Sequence, residues 1–203
     1  MKKKDKDAII QLYESRFATM EYDPRTVGWK RKEDQFLRFK VLCEIGDLSG
    51  ARICDVGCGF GDLLDYLHDH FSDFTYTGVD ISPSLLKKAS ELHPDQNFQC
   101  LDISENQPEG IFDYFIISGA FSYRIENNIE NTSNVLSRLF AQAQKGVTVN
   151  FLSKYVNFER EHNFHYSPEE MFTLGHRLTK WVKLKHDYPL WEFTLFLYKE
   201  AQI

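Results

Sequence analysis

The chain has 203 residues and a formal net charge of −6, a length that suits one domain with a sizeable core and is short for two. Hydrophobic residues make up 42% and Phe, Tyr and Trp together 15%, which excludes a disordered chain, and the acidic balance argues against a broad nucleic-acid surface. Met1-Lys2-Lys3-Lys4 leads into an amphipathic stretch without the apolar segment of a secretory signal, and no apolar run reaches membrane-spanning length; a cytoplasmic location is expected.

Two helices open the chain. Lys6 to Met20 places Ile9, Ile10, Leu12, Tyr13 and Phe17 at helical spacing, and Lys32 to Ile45 does the same with Phe36, Leu37, Phe39, Val41 and Leu42. Between them Asp23-Pro24 and Gly28-Trp29 mark a loop. The basic clusters at Lys2–Lys4 and Lys30–Lys32 have acids close by and read as solvated helix faces. From Ala51 to Val56 a short β-type run enters three glycines at alternate positions, Gly57, Gly59 and Gly61. A helix (63–71) follows, then a strand (74–80), a helix (84–92) that Ser82 caps with Pro83 at its first position, a strand (97–101), a strand (112–118), a helix (129–144) and a strand (147–152). Strands alternating with helices mean a parallel sheet with crossover helices. Ser167-Pro168-Glu169-Glu170 reads as a capping box opening a helix to about Leu178, and Trp181–His186 and Phe193–Lys199 read as two closing strands.

Glycines this close together accept positive φ and close backbone approach. Bare N–H groups at the head of the following helix, with its dipole behind them, form a ligand cradle. The spacing is G-x-G-x-G and not the dinucleotide G-x-G-x-x-G, whose third glycine is replaced here by Asp62. No Lys-Ser/Thr pair follows, which excludes a P-loop. Asp55 and Asp62 bracket the loop, a poor arrangement for a pyrophosphate and a sensible one for a ligand carrying an ammonium group.

The run Ile53-Cys54-Asp55-Val56-Gly57-Cys58-Gly59-Phe60-Gly61 resembles motif I of the class I S-adenosylmethionine-dependent methyltransferases, a hydrophobic strand followed by D-x-G-C-G-x-G. The resemblance covers about residues 36 to 199, with specific motifs only between 53 and 123. It implies an α/β fold: a seven-stranded, mostly parallel, doubly wound sheet with a C-terminal antiparallel hairpin. The chain then reads as one domain, residues 1–203, with a helical cap or lid over 1–50 and a Rossmann-like core over 51–203. It implies S-adenosylmethionine as cofactor and S-adenosylhomocysteine as product. Asp55, Gly57, Cys58, Gly59 and Gly61 form its cradle. Asp80, 19 residues after Gly61, takes the ribose hydroxyls with Ile81 beside it. Asp102 and Ile103 lie along the adenine, and Ser118 and Gly119 border the methionine end. Arg38 on the second helix is a candidate for the methionine carboxylate, since a guanidinium fork donates two parallel hydrogen bonds; a surface arginine reads equally well.

Substrate-side candidates follow the fourth and fifth strands. They are Phe121, Ser122 and Tyr123, then the aromatic and histidine-bearing stretch Tyr155–Tyr166. His162 or His165 is a candidate base, because an unperturbed imidazole titrates near neutrality; His165 is favoured because it adjoins Tyr166 and the cap Ser167. Tyr123 is a third candidate. Cys43, Cys54, Cys58 and Cys100 lack metal-ligand spacing, no metal is expected, and Cys54, Cys58 and Cys100 read as free thiols in or beside buried strands. The fourth strand ends Ser-Gly-Ala-Phe, not in the Asn/Asp-Pro-Pro-Tyr/Phe motif of adenine-N6 and glutamine-N5 enzymes. A small-molecule acceptor methylated at O or N is the leading expectation, with no nucleic-acid or membrane partner. A protein or RNA acceptor, or a regulatory protein that binds the cofactor without turnover, stays open.

Overall fold

The computed structural model describes residues 1–202. Helix α1 (Lys3–Met20) and α2 (Lys32–Leu42), extended by a 3-10 turn (Cys43–Ile45), precede β1 (Arg52–Val56), α3 (Asp62–His70), β2 (Thr75–Asp80), α4 (Pro83–Leu92), β3 (Asn97–Cys100) and β4 (Tyr114–Ile117). Then come α5 (Asn128–Gln142), β5 (Gly146–Leu152), α6 (Pro168–His176), β6 (Val182–Lys185) and β7 (Glu192–Tyr198). The seven strands form one sheet in the order β3-β2-β1-β4-β5-β7-β6. The pairs β1–β2, β1–β4, β2–β3 and β4–β5 are parallel, and β7 runs antiparallel to both β5 and β6.

Strict alternation sends β1, β4 and β7 into two cores, as a sheet covered on both faces requires. Ile53, Ile116 and Phe196 join Leu42, Leu63, Leu64 and Leu67 beneath α2 and α3. Cys54, Val56, Phe115, Ile117, Leu195 and Leu197 join Leu136, Leu139, Met171 and Leu174 beneath α5 and α6. The chain winds outward from β1 through β2 to β3, then restarts at β4 on the other side of β1. That reversal opens a crevice beyond the carboxyl ends of β1 and β4, the place where open α/β sheets bind ligands.

Two readings change at the level of local structure, and the packing of α1 adds to a third. Ser167 Oγ does accept from Glu170 N at 3.3 Å, but it is Glu169, not Glu170, whose carboxylate receives the Ser167 hydroxyl, so the capping box is only half formed. Cys100 is exposed while Cys43, Cys54 and Cys58 are buried, because β3 is an edge strand whose outer residues meet water. Finally, α1 contains no fully buried residue, so its apolar stripe rests on the domain and does not enter a core.

Close packing against the cradle is tightest at Gly78 on β2. A Cβ there would sit 2.7 Å from Phe98 Cδ1 and 2.9 Å from Cys58 Sγ. Gly78→Ala is expected to cost about 1–3 kcal/mol by overpacking, lowering the melting temperature by roughly 2–4 °C per kcal/mol for a chain this long. Calorimetry of the variant against the parent checks it; an unchanged melting temperature shows that Phe98 yields freely.

Candidate active site

Gly57, Gly59 and Gly61 all have positive φ, at 76°, 56° and 81°, the region where a Cβ is penalised. The loop's N–H groups are not bare, however. Gly57 N and Cys58 N donate to Val79 O at 2.8 and 3.1 Å, and Gly61 N donates to Cys58 O at 2.8 Å. Gly59 N donates to Asp80 Oδ2 at 3.0 Å. The glycines thus fold the loop onto β2 and leave room above it; they do not offer an anion nest. Gly61 itself caps α3 in the left-handed conformation against His93 and Phe98 and does not line the cavity.

The cavity above the loop has a volume of about 500 Å³, within the range of small-molecule sites. Its wall brings together Arg38, Asp55, Gly57, Cys58, Gly59, Asp80, Ile81, Asp102, Ile103, Ser118 and Gly119 with Tyr123, His162 and His165, residues the sequence offered separately. Asp55 is buried and accepts from the Tyr76 hydroxyl through Oδ2 at 2.8 Å, while its Oδ1 has no partner. Gln35 is likewise buried, donating to Asp62 Oδ2 at 3.0 Å and leaving Oε1 unpartnered. Two orphaned acceptors in one wall fit a ligand that brings N–H donors, since each unpaired buried polar atom otherwise costs about 1–3 kcal/mol. Burial pushes the Asp55 carboxyl up to about 7, with the Asp80 and Asp62 carboxylates adding to the rise and Tyr76 opposing it. Burial raises Asp80 as well, against the hydrogen bonds it accepts from Ser82, Gly59 and Ile81 N.

Arg38 departs from the expected role. Its Nε lies 2.8 and 3.0 Å from the two oxygens of Glu192, and its Nη2 pairs with Glu192 Oε2. Its guanidinium also stacks 4.1 Å over the Trp29 ring. Asn150 ties this pair to the loop after β4, donating to Glu192 Oε2 at 3.1 Å and accepting from Gly119 N at 2.8 Å. The bidentate fork is therefore spent on a side chain, and Nη1, which points toward Gly119, is what remains for a ligand carboxylate.

On the acceptor side, residues 121–124 lie beside 162–166. Tyr123 and Asn163 form an antiparallel bridge, and Phe164 N donates to Ser122 O at 3.0 Å. His165 Nδ1 is 2.8 Å from Ser153 O. A carbonyl only accepts, so Nδ1 carries the proton and Nε2 of the neutral ring is an acceptor. His162 is exposed, with its ring 5.8 Å from Tyr123. Burial raises the Tyr123 phenol above its usual value, with Arg16 opposing.

Several wall residues escaped the sequence reading. Ile9, Tyr13 and Arg16 come from α1, and Asn128, Asn131 and Thr132 from the start of α5. Tyr13, Gln35 and Glu192 were legible as residues but not as a site, because only the tertiary fold brings α1, α2 and β7 to the same strand ends. Among the described residues no group of three or more His, Cys, Asp or Glu is placed to hold a metal ion, and no helix is long and apolar enough to cross a membrane.

This geometry agrees with comparisons to known proteins. A family model described as a methyltransferase domain matches residues 54–146. A Mycobacterium tuberculosis (strain H37Rv) protein, Rv1506c, whose name assigns it provisionally to the methyltransferases, is 32% identical over 162 residues, 73% of this chain and 93% of that one. The malonyl-[acyl-carrier protein] O-methyltransferase of Acetivibrio thermocellus is 31% identical over 130 residues, 63% of this chain, which spans only 44% of that protein. Among solved structures, the magnesium protoporphyrin IX methyltransferase of Synechocystis PCC 6803 with bound S-adenosylmethionine shares the fold at a TM-score of 0.70, with 17% identity and 97% of both chains covered. The chain belongs to the class I S-adenosylmethionine-dependent methyltransferases. It is an enzyme of methyl transfer, and S-adenosylmethionine is its cofactor.

The raised Asp55 carboxyl has a consequence for the ligand-free protein. Its folded value lies above that of the unfolded chain, so the stability it supports is complete below about pH 4 and declines as pH rises toward 7. The slope is at most about 1.4 kcal/mol per pH unit for one proton. Asp55→Asn is expected to remove that slope between pH 4.5 and 7, as read by urea unfolding at several pH values. A parallel pair of stability curves would show that Asp55 titrates normally.

Proposed function

We propose that the enzyme transfers a methyl group to an O or N atom of a small-molecule acceptor. The observation that carries this reading is the cavity that joins the strand-end acids to His165 and Tyr123 beneath α1, whose volume of about 500 Å³ is of the size that small-molecule sites have. The A. thermocellus relative is named for a malonyl thioester on a carrier protein, and the Synechocystis neighbour for a porphyrin; the range of those acceptors leaves this one to be argued from its own wall.

When bound, S-adenosylmethionine supplies an electrophilic methyl on a positively charged sulfur that needs no further activation. The protein's task is placement and proton management. Asp80, at the tip of β2, offers its remaining lone pairs to ribose hydroxyls while Gly59 N and Ser82 N hold its orientation. Asp102 is buried, with Oδ1 held by Ser104 N at 2.8 Å, and faces the adenine side. Asp55 Oδ1 and Gln35 Oε1 receive the ammonium group, and Arg38 Nη1 with Gly119 borders the carboxylate. Holding two reactants in line is worth about 7–11 kcal/mol in favourable cases. His165, its tautomer fixed by Ser153 O, accepts the acceptor's proton at Nε2 as the nucleophile attacks. The aromatic residues of the wall exclude water from the transfer.

Two measurements test the reading. His165→Asn preserves a donor to Ser153 O and removes Nε2, so turnover should fall by about 10²–10⁴-fold with S-adenosylhomocysteine affinity intact, while His162→Asn should change little. Equal losses in both variants would place the proton elsewhere. S-adenosylhomocysteine affinity should also rise with pH up to about 7 and then level, because an ionised Asp55 favours the ammonium group. The rise should be absent in Asp55→Asn; a rise that survives the substitution assigns it to Asp80.

A further inference from the structure

The cavity is electrically divided. Asp55, Asp62, Asp80 and Asp102 all stand near the ends of β1, β2 and β3 or at the head of α3. Three of the wall's six carboxylates are already matched: Asp34 pairs with Arg31, Glu192 with Arg38 and Asp102 with Lys6. Toward the acceptor end the wall carries Arg16 from α1 and Arg160 from the loop after β5. Among the described residues neither guanidinium has a carboxylate within 4.0 Å. Glu159, next to Arg160 in the chain, lies 4.0 Å from Arg124 instead.

Both arginines line the same cavity, and a chain of contacts joins the segments that carry them. The Arg16 guanidinium is 5.9 Å from the Tyr13 ring, and Tyr13 meets Tyr123 edge-on at 6.2 Å. Tyr123 in turn bridges to Asn163, whose N–H donates to Arg160 O at 2.9 Å. The rim beside Arg160 is apolar. Phe158 packs edge-on against Trp191 at 5.9 Å, yet the two remain 48% and 61% exposed, a pair of large aromatic surfaces bordering the same cavity. Unpaired guanidiniums beside uncovered aromatic rings match a ligand with an anionic group on an apolar body.

Building on the small-molecule reading above, we propose that the acceptor is an organic anion whose carboxylate or similar group is gripped by Arg16 and Arg160, with its apolar body against Phe158 and Trp191 and a separate hydroxyl or amine presented to His165. The step balances without a co-reactant. The nucleophile's lone pair forms the new bond to the methyl carbon, the carbon–sulfur bond breaks with its pair returning to sulfur, and the nucleophile's proton passes to His165. The anionic group itself is a handle and is unchanged.

The test holds the enzyme at saturating S-adenosylhomocysteine and titrates one- and two-ring aromatic carboxylates, benzoate, indole-3-acetate and 2-naphthoate, each beside its neutral primary amide. At least one carboxylate should bind about tenfold or more tighter than its amide, the worth of a charge-assisted pair, and the gap should narrow with salt. The Arg16→Met and Arg160→Met variants should each close most of that gap while S-adenosylhomocysteine binds as in the parent, which also reports that both variants are folded. Carboxylates and amides that bind alike would overturn the anionic handle and leave methyl transfer to a neutral small molecule standing. Loss of S-adenosylhomocysteine affinity in the arginine variants would overturn it too, by assigning the arginines to the cofactor's own carboxylate. Failure of every small probe alongside tight binding of a 20-nucleotide RNA would overturn both readings.

Discussion

The buried pair between Arg38 and Glu192 adds a polar tie between parts of the chain that also meet in the core, where Leu42 and Phe39 pack with Phe196 and Tyr198. Arg38 comes from the helix before the first strand, Glu192 from the first residue of the last strand, and 154 residues separate them. Both side chains are buried, so each has given up water and depends on the other; breaking such a pair by removing one partner typically costs about 3–5 kcal/mol. The pair does not stand alone. Trp29 covers the guanidinium from one face, and Asn150 on β5 relays the carboxylate to Gly119 N. One connected set of polar groups thereby fixes the cap, the central sheet and the loop where the methionine end of the cofactor is expected. A connected polar network of this kind favours one arrangement over its competitors more than it adds net stability, and here it leaves Arg38 Nη1 free toward Gly119.

The same fixation explains the electrostatics of the cavity. With Glu192 paired to Arg38 and Asp102 to Lys6, the carboxylates of the wall without a cationic partner are Asp55, Asp62 and Asp80, at the ends of β1 and β2 and the head of α3. Burial has already raised Asp55 and Asp80 toward their neutral forms. A ligand carrying an ammonium and a sulfonium there would favour their ionised forms. Arg16 and Arg160 give the same cavity charge of the opposite sign, and regions of opposite potential orient ligands before close contact forms.

How much of this was readable before folding follows from what each signal depends on. The cradle and the acids at strand ends are local: Asp55 and the glycines lie within one loop, and Asp80 and Asp102 each end a strand, so chain order and strand period suffice to place them. The seven-stranded sheet with its antiparallel closing strand was legible for the same reason. The bonding of individual atoms was not. The loop N–H groups looked free in the sequence, yet Val79 O and Asp80 take them, because close packing of the loop on β2 at Gly78 brings those acceptors into range. Arg38 read as a free fork because its partner lies at the far end of the chain, and the acid at helical spacing before it, Asp34, is taken by Arg31. Residues from Trp29 to Arg38 and from Tyr188 to Thr194 meet only in the fold, where Trp29 and Glu192 both hold Arg38 and Tyr188 shares a hydrogen bond with Thr194 at 2.9 Å.

Helix α1 completes the cavity on different terms from everything beneath it. It contributes Ile9, Tyr13 and Arg16 to the wall but buries no residue fully. Polar ties hold it in place: Lys6 lies 3.1 Å from Asp102, Glu14 accepts from Ser82 Oγ at 2.7 Å and from Ser84, and Lys2 and Lys4 reach Glu126. The pairs of Lys2 and Lys4 with Glu126 are exposed, screened and contribute little, and an element with no fully buried residue opens at lower free energy than the core. Two of those ties end at the cavity, since Asp102 lines it and Ser82 caps the helix that follows Asp80. One carboxylate, Asp102, thus both holds α1 through Lys6 and forms part of the cavity wall, so the helix is anchored to the site and not to the core.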